Sequence, residues 1–302
     1  MTTQTYGKYT VELSHLDKIL FPDDGFTKGD LVGYYDKIAD AMLPHLRDRP
    51  LTLHRFPDGI DSSGFFQQSR ADYFPDWLPG MAIDHGGDTG VVEHVIANNR
   101  ASLVYLANQG AITLHRWLSR QAVSACPNLM IFDLDPPEGN FELVREGTEW
   151  IGQAMRDLGA TPHVMTTGSK GLHVIAPLRP EASFDEVRGL AQKLADRLAD
   201  QHPEKLTTEQ RINKRRGRLY LDVLRNAFGQ TAVAPYSVRA KPGAPVATPL
   251  DWSELGDRNL HAQRYNLGNI RQRLANKRDP WTDLHRHAVK PATLARALDR
   301  SD

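Results

Sequence analysis

Between residues 129 and 224 the chain reads as strand, helix, strand, strand, helix, strand, and no other feature restricts its fold as strongly. Leu129-Met130-Ile131-Phe132 is a short, wholly apolar run that suits a buried strand, and it ends in Asp133-Leu134-Asp135-Pro136-Pro137. Glu142 to Leu158 has helical spacing and closes on Gly159. His163 to Thr167 and Leu172 to Leu178 read as two strands joined by Gly168-Ser169-Lys170-Gly171. Ser183 with Glu186 makes a capping box for a helix to Asp200, with Val187, Leu190, Leu194 and Leu198 inside. A strand from Leu219 to Leu224 completes the β-α-β-β-α-β order of ferredoxin-like folds.

Upstream, Thr27-Lys28-Gly29-Asp30 has the form of a capping box, and Leu31, Tyr34, Tyr35, Ile38, Met42 and Leu46 follow at helical spacing until Pro50. Leu51 to Phe56 suits a short strand, residues 57 to 90 are turn-rich, and a second amphipathic run covers about 91 to 107. A length of 302 residues gives about two domains at roughly 150 residues each. With 40% apolar and 25% charged residues, the chain has the composition of a soluble globular protein. Its single cysteine, Cys126, excludes an internal disulfide and a Cys-rich zinc site. No apolar h-region follows Met1 and no apolar run is long enough to span a bilayer, so neither secretion by signal peptide nor a membrane location is expected.

Asp133 and Asp135 stand two apart on a strand and so project from one face. Their Cα atoms should be roughly 6 to 7 Å apart. Two such side chains can converge on a metal pair about 3.5 to 4 Å apart, as in two-metal phosphoryl transfer. Asp222 ends the apolar triplet Leu219-Tyr220-Leu221, and a neighbouring position for its strand would supply a third ligand. An isolated Asp-x-Asp before Pro-Pro is more often a strand-to-turn transition. Here a third Asp repeats the pattern, and burying several unpaired carboxylates is costly without a cation. The metal reading overtakes the turn.

Thr166-Thr167-Gly168-Ser169-Lys170-Gly171-Leu172-His173 places two glycines, three hydroxyls, a lysine and a histidine between two strands. Glycines let backbone approach a phosphate, and the N–H groups of such a turn can form an anion nest. The spacing and the missing helix exclude a Walker A loop. Arg239 and Lys241, downstream of Asp222, are candidates for the other side of a phosphate site.

With these motifs in order, the sequence resembles the primase-polymerase domain of bacterial DNA ligase D and its stand-alone relatives, of the archaeo-eukaryotic primase superfamily. The resemblance implies an α+β, primase-like fold, with an RRM/ferredoxin-like catalytic lobe (126–302, ending in a helical tail) packed on an N-terminal α/β lobe (1–125). It implies a nucleotidyltransferase that adds nucleotides, ribonucleotides preferentially, to a primer 3′ end during nonhomologous end joining. Asp133, Asp135 and Asp222 would bind two Mn²⁺ or Mg²⁺ ions, and His115 matches the family histidine near the incoming nucleotide and primer terminus. Thr167, Ser169, Lys170, Gly171, His173, Arg239 and Lys241 form the implied nucleotide site. Lys18 and Lys28 match lysines that bind the 5′-phosphate of a downstream strand, and Phe65 and Phe66 match the aromatic pair that stacks on the template. Arg55, Arg215 and Arg216 join that DNA-binding set, whereas Gln68 stands where the family carries lysine. The implied partners are gapped or primed DNA, NTP or dNTP, Ku and an ATP-dependent DNA ligase, in a bacterial cytoplasm at the nucleoid.

A glycosyltransferase would also use Asp-x-Asp, but it leaves Lys18, Lys28 and the basic segment before Asp222 unexplained. A non-catalytic RRM-like reader would carry aromatics on its sheet face, where this chain places carboxylates that repel phosphate. The formal net charge is zero, with 37 Lys plus Arg against 37 Asp plus Glu. That zero is a sum of separated zones, because Arg211, Lys214, Arg215, Arg216 and Arg218 have no acid among them.

Overall fold

A computed structural model describes residues 1–300. The chain divides into two compact units: residues 1–117, 231–248 and 265–278 form one, and 118–230, 249–264 and 279 onward form the other. The contiguous boundary expected near residue 125 therefore differs from the observed one. The first unit closes at 117, and two later segments return to it.

The second unit holds the ferredoxin-like sheet. Strand Leu129–Asp135 lies at its centre, antiparallel both to Leu172–Pro177 and to Leu219–Asp222. His163–Thr166 pairs antiparallel with Leu172–Pro177. Two strands absent from the sequence reading extend the edges: Leu206–Thr207, parallel to Leu219–Asp222, and Thr248–Leu250 beside His163–Thr166. Each is too short to leave a periodic signal. The helices form where expected, at Phe141–Asp157 and Phe184–Gln201. Asn140 caps the first through the Leu143 N–H, and the Ser183/Glu186 box caps the second. Gly147 of the first helix lies so close to Leu219 that a Cβ would meet its side chain at 2.4 Å. Leu219 faces the opposite way from Asp222, so this helix covers the face that the carboxylates do not use.

In the first unit, five strands of a six-stranded sheet run in the order Thr231–Val233, Ala111–Trp117, Pro50–Arg55, Val91–Ile96, Gly80–Asp84. Phe65–Gln67 pairs with the end of Pro50–Arg55, beyond the stretch that Val91–Ile96 occupies. Helix Lys28–Leu46 begins with the expected Thr27/Asp30 box and packs against helix Arg100–Asn108. Tyr34 and Tyr35 are buried there and spend their hydroxyls on the carbonyls of Tyr236 and Ile112. The run expected over 91 to 107 is two elements. Its first half is rich in β-branched residues and extends as a strand, and Asn99 then caps a helix through the Ser102 N–H. Among the described residues no helix is long and apolar enough to cross a membrane.

Candidate active site

Strand register assembles the acidic group. Asp133 is the direct partner of Asp222 on one side and of His173 on the other. Directly opposed residues share a face, so the three side chains form a row across adjacent strands, and Asp135 lies two positions along on the same face. Asp133 is the enclosed member, with a side chain only 14% exposed. His173 Nε2 lies 3.3 Å from its Oδ1 and Arg225 Nε 3.5 Å from its Oδ2. Burial pushes the Asp133 pKa up, but the His173 and Arg225 charges and hydrogen bonds outweigh it and hold the carboxyl below its ordinary value.

Asp135 and Asp222 shift the other way. Asp135 stands at the exposed end of its strand, yet desolvation by surrounding protein and then the Asp133 charge raise its pKa. Desolvation also leads at Asp222, with Asp133 adding to it and the Leu224 N–H opposing it. Two desolvated carboxylates raised further by the Asp133 charge would be relieved by a cation. Among the described residues no three His, Cys, Asp or Glu side chains close on one point, and both Asp133 oxygens face protein cations. The donor set is nonetheless three carboxylates on one face, and hard oxygen donors suit Mg²⁺ or Mn²⁺.

The turn at 167–171 abuts this row. Thr167 is buried; its hydroxyl accepts from the N–H groups of Ser169 and Gly171 and donates to the Gly171 carbonyl. These bonds brace the loop from inside. Gly171 is required by close approach, since a Cβ would lie 1.7 Å from the Leu134 carbonyl oxygen. That contact sets the loop against the end of the Asp133–Asp135 strand. Ser169 and Lys170 face a cleft of about 400 Å³ shared with Pro136, Phe141, His261 and Gln263, and Gln263 donates to the Ser169 carbonyl. His173 is buried with its Nε2 on Asp133.

The other candidates lie in the first unit, apart from Arg215 and Arg216. Phe65 and Phe66 are both exposed, by 46% and 62%. The Phe66 ring stacks on His54 at 4.0 Å and meets His115 edge-on. Arg55 is buried, lies over Phe65 and donates to Gln67, Tyr73 and the Gln109 carbonyl, so it braces the aromatic strand and is not open to solvent. The His54 pKa is lowered, by burial and then by the Arg239 charge, which places Arg239 near this ring pair. Lys241 follows in the turn, with its N–H on the Arg239 carbonyl. The Lys28 N–H donates to the Lys18 carbonyl. The Lys28 ammonium is driven below its ordinary pKa by burial and then by the Lys18 charge, while Lys18 itself pairs with Asp58. In the second unit Arg215 lies over Tyr220 and donates to the Glu209 and Gln210 carbonyls, and Arg216 takes a left-handed conformation at φ 53°.

Sequence reasoning passed over Arg225 and Asn226 as site residues. Asn226 is fully buried, accepts from the Ile131 N–H and donates to the carbonyls of Ile131 and Val223. It ties the turn after Asp222 to the Asp133 strand. Leu224-Arg225-Asn226 follows Asp222 directly, and a polar pair just past a carboxylate strand was the available signal.

Comparison with known proteins shows the family of this chain. The model of the family described as LigD, primase-polymerase domain, matches residues 27–281. The multifunctional non-homologous end joining protein LigD of Mycolicibacterium smegmatis is 33% identical over 259 residues, 85% of this chain and 34% of that protein. The bifunctional LigD of Bacillus subtilis is 31% identical over 280 residues, 92% of this chain and 44% of that protein. The chain thus spans less than half the length of these relatives. The polymerase domain of Mycobacterium tuberculosis ligase D, solved in complex with DNA, matches with a TM-score of 0.86 and 31% identity, over 92% of this chain and 99% of that one.

Proposed function

The chain belongs to the LigD primase-polymerase domain family, and from that premise we propose that it is a nucleotidyltransferase of bacterial nonhomologous end joining. It extends a primer 3′ end across gaps and processed ends, takes ribonucleotides in preference to deoxyribonucleotides, and releases pyrophosphate. One observation carries the reading: Asp133, Asp135 and Asp222 share one sheet face, with the glycine turn set against its end. The glycosyltransferase and non-catalytic readings give way to the family match.

Asp133, Asp135 and Asp222 would hold two divalent ions, Mn²⁺ or Mg²⁺. When bound, such ions lower the pKa of the primer hydroxyl and neutralise the triphosphate. Ser169 and Lys170 bind the triphosphate from the turn that Thr167 braces and Gly171 positions. His173 orients Asp133, which its 3.3 Å contact supports. Arg239 and Lys241 add phosphate contacts, and His115 serves the incoming nucleotide and primer terminus.

The first unit holds most of the DNA contacts. Lys18 and Lys28 take the 5′-phosphate of the downstream strand; burial and then the Lys18 charge disfavour the Lys28 ammonium, and an anion would relieve both. Phe65 and Phe66, held by Arg55 and His54, stack on template bases. Arg215 and Arg216 contribute backbone phosphate contacts. Ku and an ATP-dependent ligase are the partners, and the nucleoid is the place of work. The test is primer extension on a gapped duplex with Mn²⁺ and NTPs. Asp133→Ala should abolish it, and retained extension would overturn the assignment.

A further inference from the structure

Arg225 has no part in the roles above, yet its guanidinium is placed against the most enclosed carboxylate of the site. Arg225 Nε faces Asp133 Oδ2 at 3.5 Å while His173 Nε2 faces Oδ1 at 3.3 Å, so both oxygens are engaged by the protein itself. The backbone carrying Arg225 is fixed. Asn226 locks it to the Ile131 strand on one side, and the Leu224 N–H is bound to Asp222 Oδ1 on the other. Its side chain is free to move: it is 43% exposed, and a 3.5 Å separation lies at the outer limit of a hydrogen bond.

We infer that Arg225 is a resident counter-cation, which neutralises Asp133 in the metal-free protein and must withdraw before Asp133 can ligate a divalent ion. The inference rests on the reading of the carboxylates as metal ligands. Removing the guanidinium leaves a largely enclosed carboxylate with less compensation, which costs stability while the site is empty of metal. Leaving it in place sets two like charges competing for one oxygen, at a separation where repulsion exceeds what a surface ion pair gains. Arg225 thus sets the metal concentration at which the site fills. It acts through Asp133 and is in that sense a positioning residue.

The test is Mn²⁺ binding to the nucleotide-free protein, read from the loss of the free-ion paramagnetic resonance signal. Wild type, Arg225→Gln, Arg225→Lys and Asp133→Ala are compared. Arg225→Gln should bind Mn²⁺ roughly tenfold more tightly, a modest share of the repulsion between cations a few ångström apart. Arg225→Lys keeps a charge and should stay near wild type. Thermal unfolding adds a second readout: Arg225→Gln should melt below wild type in chelator and regain the difference at saturating Mn²⁺. Equal or weaker Mn²⁺ binding by Arg225→Gln overturns the inference, as does a melting deficit that Mn²⁺ does not remove. If Asp133→Ala binds Mn²⁺ as well as wild type does, the assignment of the carboxylates has failed, and the inference falls with it.

Discussion

The sheets of the two units carry different kinds of unsatisfied surface. In the second unit the row Asp222, Asp133, His173 is made by backbone pairing across three strands, and its cost is electrostatic. In the first unit Phe65 and Phe66 stand on a three-residue strand at the edge of Pro50–Arg55, and the cost is apolar surface left in water. Each cost names what would relieve it: cations for the carboxylates, flat apolar rings for the phenylalanines. A site made by register is also rigid, since a slip of one residue would turn every carboxylate to the other face. A site made by an edge strand depends on side chains that brace it, here Arg55 under Phe65 and His54 under Phe66.

The largest effect that should separate these regions comes from Gly171→Ala. The added Cβ cannot coexist with the Leu134 carbonyl, so the turn must move from the Asp135 end of the strand. Extension should fall roughly a hundredfold, the scale of an ångström-sized misplacement at a reacting centre. DNA affinity should hold, and a parallel loss of DNA binding would show that the two regions are not separate in function. Phe66→Ala is the counterpart in the first unit. Template binding should weaken by about 1 to 3 kcal/mol for the lost stack, measured by fluorescence anisotropy, while Mn²⁺ binding is unchanged.

The smallest effect is on stability against pH. Unfolded Asp135 titrates at the ordinary carboxylate value, and folded Asp135 titrates higher. Between the two, the folded state holds more protons, so wild-type stability falls as pH rises through that window and stays lower above it. Metal-free Asp135→Asn should therefore melt slightly above wild type at neutral pH. Asp133 has the opposite sign: its depressed pKa contributes stability above the ordinary carboxylate value, lost as pH falls through the folded pKa. Asp133→Asn should melt below wild type at neutral pH. Equal melting curves for both variants would remove the electrostatic half of the comparison.

The ferredoxin-like order was legible because its two helices are long and periodic, a capping box marks Ser183, and apolar runs bounded by turns mark its strands. The paired carboxylates were legible because a period of two is read directly from Asp133 and Asp135. The edge strands Leu206–Thr207 and Thr248–Leu250 were not, since two or three residues carry no period. Nor were the partners of Thr167, Arg55 and His173, whose residue types suit ligand contact equally well. Only burial and partners distinguish a brace from a ligand. Residues 231–248 and 265–278 return to the first unit through long-range contacts that local patterns do not record.

The central claim is that the metal-binding carboxylates and the 5′-phosphate lysines are held by different units. It is tested most directly by measuring the affinity for gapped duplex, with and without a 5′-phosphate, on wild type, Asp133→Ala and the Lys18→Ala/Lys28→Ala double variant. The account expects Asp133→Ala to keep the full preference for the 5′-phosphate, and the double variant to lose that preference while binding Mn²⁺ as wild type does. Loss of the preference in Asp133→Ala, or its survival in the double variant, would contradict the account.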